Sequence, residues 1–106
     1  MPKYLVEVKY TLDGIKGVKS EGGSVRVAAA KAAIEEQGGK VEAFYFAFGD
    51  NDAYVLVDMP DNVSAAAVGL IVGAAGGVMT RTVVLLTADE IDAAAKRHTL
   101  YRPPGG

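Results

Sequence analysis

Three glycine pairs, Gly22-Gly23, Gly38-Gly39 and Gly76-Gly77, cut the chain into segments, and the hydrophobic period changes across the second and third breaks. Glycine past the end of a helix accepts a backbone turn that other residues resist. A pattern that alternates, then runs at helical spacing, then alternates again describes strands and helices in turn. Tyr4 to Tyr10 alternates with period two, so Tyr4, Val6, Val8 and Tyr10 share one side. Thr11 can cap a short helix, with Asp13 in its first turn. Ser24 is expected to cap a stronger helix reaching about Gln37, with Val25, Ala28, Ala29, Ala32 and Ala33 on its inner face and Val27, Ala30 and Ile34 widening the apolar arc.

Lys40 to Phe48 reads as the second strand. Strict alternation would put Phe44, Phe46 and Phe48 on one side with Glu42, and Val41, Ala43, Tyr45 and Ala47 on the other. Gly49-Asp50-Asn51-Asp52 supplies turn residues, and Ala53 to Met59 is the third strand, making a hairpin. Pro60-Asp61-Asn62 introduces a helix over 63–75, and Val78 to Leu86 is the fourth strand. Thr87-Ala88-Asp89-Glu90 has the spacing of a capping box and opens a last short helix to about Arg97.

The order β, α, β, β, α, β with right-handed crossovers predicts an α+β fold of the ferredoxin-like βαββαβ kind. Its four-stranded antiparallel sheet would carry two main helices on one face, with a short C-terminal helix added. Residues 1–100 are expected to form a single domain and 101–106 an extended tail, as suits a chain of 106 residues.

Two helices cover one face of such a sheet, yet the second strand is apolar on both sides. A second sheet packed on the bare face would cover it, so a homo-oligomer, a dimer or larger, is expected. The helix over 63–75 has Ser64 as its only polar side chain after the cap, which predicts burial all round.

Composition narrows the chemistry. With no cysteine and one histidine, the chain offers neither thiolate ligands nor a multi-histidine metal site, and no metal or cofactor is expected. The net charge is −2, and the basic residues are scattered, which argues against a nucleic-acid partner. Within the charge-free run from Asn62 to Thr80, the strictly apolar or glycine part, Ala65 to Met79, is too short for a membrane span and is rich in alanine and glycine. Nothing near the N-terminus resembles a secretion signal, so a cytoplasmic location is expected.

The charged residues inside strands, Glu7, Lys9, Glu42 and Arg81, are costly if buried unpaired. With Tyr45 or Tyr54 they could line a polar spot in an apolar cavity against a second sheet, the usual form of a small-ligand site. Glu42, Tyr45, Tyr54, Arg81 and His98 are the ligand-binding candidates. The same charges could instead only blunt sheet edges, and His98 could only complement a helix terminus. Asp50, Asp52 and Asp58 suggest a carboxylate cluster, although turns favour aspartate for local hydrogen bonds.

The block from Gly38-Gly39-Lys40 through Phe44-Tyr45-Phe46-Ala47-Phe48-Gly49, then Asp52 and Val57-Asp58-Met59-Pro60-Asp61-Asn62, resembles the GYD domain family. Gly22-Gly23-Ser24, Arg26, Arg81-Thr82 and the Tyr101–Gly105 tail are similar to it as well. Gly49 and Asp52 match the motif that names the family, while Asn51 stands where the family has tyrosine. The resemblance implies a dimeric α+β barrel assembly and carries over no catalytic residue. Three functions fit: a homo-oligomeric ligand-binding or regulatory module; a small cofactor-free monooxygenase or isomerase using Arg81, Glu42, Tyr45 or His98; and a purely structural assembly subunit.

Overall fold

The structure, a computed structural model, describes residues 1–106. Its elements follow the predicted order. They are β1 (Lys3–Tyr10), α1 (Leu12–Glu21), α2 (Gly23–Glu36), β2 (Lys40–Phe46), β3 (Ala53–Asp58), α3 (Asn62–Ala74), β4 (Val78–Leu85) and α4 (Ala88–Ala95). The sheet order is β2-β3-β1-β4 and every neighbouring pair is antiparallel. Both βα crossovers therefore skip one strand, which is the ferredoxin-like arrangement.

Local chemistry sets most boundaries. Thr11 Oγ1 accepts from the Gly14 amide at 3.1 Å and donates to the Gly76 carbonyl at 2.8 Å, so it caps α1 and ties it to the turn before β4. Gly22 holds φ at +86°, a conformation that lets α1 break into α2 within one residue. Gly22, not Ser24, is the N-cap of α2, and no side chain caps that end. The Asp61 side chain caps α3 through the Ser64 amide at 2.8 Å. The Thr87–Glu90 capping box forms as the spacing predicts.

The core lies between β1, β3 and the helices. Tyr4, Val8, Ile34, Ala53, Val55, Val57 and Met59 are buried. The even residues of β1 thus face the helices, as the period-two pattern predicts. On β2 strict alternation fails. Val41 pairs with Val57 but Ala43 pairs with Leu56, so Glu42 is an extra residue in a bulge. The bulge moves Val41 to the helix side with Phe44 and Phe46, whose ring centroids lie 5.1 Å apart. Phe48 falls beyond the strand and is wholly exposed.

The helices also depart from the sequence pattern. The inner stripe of α2 is Arg26, Val27, Ala30, Ala33 and Ile34, while Val25, Ala28, Ala29 and Ala32 are mostly exposed. Helix α3 is not enclosed: Val63, Leu70 and Ile71 stand on its outer side, 56% or more exposed. Every residue from Leu86 to Gly106 is exposed, so α4 and the tail form an arm. The arm accounts for a radius of gyration of 17.0 Å, against about 13 Å for a compact chain of this length.

Candidate functional site

The face of the sheet turned away from the helices is built from cross-strand rows. The first row is Lys40, Asp58, Lys3 and Leu85; the second is Ala43, Leu56, Leu5 and Val83; the third is Tyr45, Tyr54, Glu7 and Arg81. Residues opposite one another in antiparallel strands sit about 5 Å apart, so each row is a line of touching side chains. An apolar row therefore lies between two polar ones. No element of the same chain covers this face, and Tyr45 and Met79 are 72% and 59% exposed on it.

The structure brings three of the five predicted candidates together. Tyr45, Tyr54 and Arg81 share the third row, and Glu7 joins them. Arg81 Nε lies 3.9 Å from Glu7 Oε2, a loose pair. The Tyr54 hydroxyl accepts from Asn51 Nδ2 at 3.3 Å. Glu42 sits elsewhere, at the opposite end of the sheet. There Lys3 Nζ donates to Glu42 and, at 2.8 Å, to Asp58 Oδ1. The hydrogen bond to Asp58 first, and that to Glu42 next, raise the Lys3 pKa above its ordinary value. His98 lies on the exposed arm beyond α4 and joins neither group.

The three aspartates do not converge either. Asp58 belongs to Lys3, and Asp50 is exposed in the β2–β3 connection. Asp52 is a staple: its Oδ2 accepts from the Tyr10 amide at 2.9 Å, its amide donates to the Val8 carbonyl at 2.8 Å, and its carbonyl accepts from the Ala47 amide at 2.8 Å. No group of three or more histidine or carboxylate side chains is placed to hold a metal ion. No helix is long and apolar enough to cross a membrane.

A second feature lies on the helix side. A cavity of about 180 Å³ opens between α2, α3 and the sheet. Its floor is the inward row of β1, from Tyr4 to Tyr10, with Val55 and Val57 of β3. Its walls are Arg26, Ala30, Ala33 and Ile34 of α2, and Ala65, Val68, Gly69 and Val72 of α3. The cause is visible in the residue types. Both helices turn small side chains inward, so they cannot fill the space above a sheet whose own side chains are only medium-sized. Arg26 is the one charged residue in the lining. The sequence pattern placed Ala29, Ala30, Ala33 and Ile34 in the apolar arc of α2 but left Arg26 outside it, so the cavity's one cation went unread. The signal was present as an arginine in register with Ala30 and Ala33.

A four-stranded antiparallel sheet in this order, with helices on one face, defines the chain as a ferredoxin-like α+β protein. It belongs to the GYD domain family, whose sequence model matches residues 4–95. No curated protein and no solved structure matches the chain.

Proposed function

We propose that this GYD domain protein is a homo-oligomeric module that binds a small ligand in the cavity between α2 and α3. One observation carries the reading: the sheet has an apolar helix-side face above which a cavity stays open, and a bare face whose apolar central row no element of its own chain covers. On the bare side, the row Ala43, Leu56, Leu5 and Val83 has the chemistry of an interface centre, flanked by polar rows that suit a rim. Tyr45, Tyr54, Arg81 and Glu7 then act at the contact between protomers, where tyrosine and arginine are favoured residues. On the helix side, the cavity is apolar with few polar groups, the form a small-molecule site takes.

The two halves of the reading are tested separately. Sedimentation of the Leu56→Glu variant should show a smaller species than the wild type, because a carboxylate at the centre of the apolar row is left unpaired on association. Identical sedimentation of the two would remove the bare face as the interface. Thermal shift against a library of small organic molecules should give hits that disappear in Ala33→Leu, whose added side chain fills the cavity. Hits that survive that substitution would place the ligand elsewhere.

A further inference from the structure

The helix-side cavity is almost wholly apolar, which makes its one cation conspicuous. Arg26 projects from the second turn of α2 and is only partly exposed. It has no ion-pair partner, since the three salt bridges of the chain belong to Lys3 and Arg81. A polar groove on its far side holds Asp13 and Glu21, yet neither carboxylate comes within ion-pair distance. A guanidinium left unpaired beside an apolar wall loses hydration without regaining it from a partner. Tyr10 stands close enough to feel its charge. Burial raises the Tyr10 pKa, Arg26 opposes the rise, and Asp52 adds to it, so the phenol stays protonated at neutral pH and can donate.

We propose that the cavity takes a small amphipathic monocarboxylate, its headgroup held by the Arg26 guanidinium and the Tyr10 hydroxyl and its hydrocarbon part lying between α2 and α3. The inference rests on the ligand-binding reading above and specifies the ligand's chemistry. The stripe from Arg26 to Ile34 covers two turns of α2, about 12 Å at 1.5 Å per residue, so the cation sits at one end of an elongated wall. Planar guanidinium and planar carboxylate match in two parallel hydrogen bonds. A single negative charge suits this end better than a phosphate dianion does, because Asp13 and Glu21 line the groove that adjoins Arg26 and Asp52 adds negative potential at Tyr10.

Octanoate and octan-1-ol, equal in chain length and different in head charge, provide the test. Calorimetric titration of the full chain should give octanoate an affinity about tenfold or more above octanol, the scale of a charge-assisted pair. Arg26→Gln should abolish that preference by lowering the octanoate affinity to about that of octanol, while Arg26→Lys should restore part of it. Equal binding of the two probes to the wild type, or an unchanged preference in Arg26→Gln, would overturn the proposed head-group contact and leave the cavity itself as a ligand site. Failure of both probes to bind would overturn the monocarboxylate; library hits sensitive to Ala33→Leu would then still support the cavity, and their absence would remove it.

Discussion

At the scale of single residues, the glycines that precede and follow β2, Gly39 and Gly49, carry opposite constraints. A Cβ on Gly39 would stand 2.4 Å from Met59 Sδ, 2.8 Å from the Asp58 carbonyl oxygen and 2.9 Å from Ile34 Cγ2, all at the edge of the core. Gly39→Ala should therefore destabilise by about 1–3 kcal/mol in denaturant unfolding, as overpacking does. Gly49, one of the two residues that match the family motif, has no positive φ and nothing within 4 Å of where a Cβ would lie. Gly49→Ala should leave stability within about 0.5 kcal/mol of wild type. The other motif residue, Asp52, anchors the end of β1 to the hairpin, so Asp52→Ala should cost about 1–2 kcal/mol through the unsatisfied Tyr10 amide. A motif that can be seen in sequence thus has one member with a structural reason and one without. Asp61 adds a pH dependence. The Ser64 amide, first, and the Ser64 side chain hold its carboxyl below the usual carboxylate range. A depressed folded-state value means that its contribution is present above about pH 4 and is lost as pH falls through the folded value. Asp61→Asn keeps an acceptor but does not titrate, so the stability difference from wild type should shrink on acidification below about pH 4.

At the scale of elements, strand and helix order were legible because each period ended on a clear stop. The alternation of β1, the Asp-Asn-Asp turn and the Thr87–Glu90 box each lie where the structure has a strand, a hairpin connection and a helix start. Faces were less legible. On β2, one extra residue at Glu42 reverses the side on which Val41 lies, and no residue type announces a bulge there. On α2, a run of alanines has no preferred inner side, so Arg26 and Ile34, rather than the alanines, mark the true stripe. The same weakness hid the cavity, whose existence depends on small residues from two helices meeting across a gap. The join between α1 and β4 is a further consequence of packing. Thr11 serves as helix cap and as a tie to Gly76 and Gly77, the last through its amide to the Gly77 carbonyl at 3.1 Å. Thr11→Ala should lower stability by about 1–2 kcal/mol, at the upper end for a cap, as read from thermal or denaturant melts.

At the scale of the whole molecule, a chain with 7 buried residues of 106 is short of core for its length. The bare sheet face, the apolar outer side of α3 and the exposed arm all expose apolar side chains that a lone protomer leaves in water. A partner sheet would cover the first of these. Sedimentation equilibrium of the wild-type chain at micromolar concentration examines that claim with the least intervening inference. A mass of at least twice the 11.0 kDa protomer, falling to 11.0 kDa in Leu56→Glu, is the predicted result. A wild-type chain that sediments at 11.0 kDa and remains soluble would contradict it.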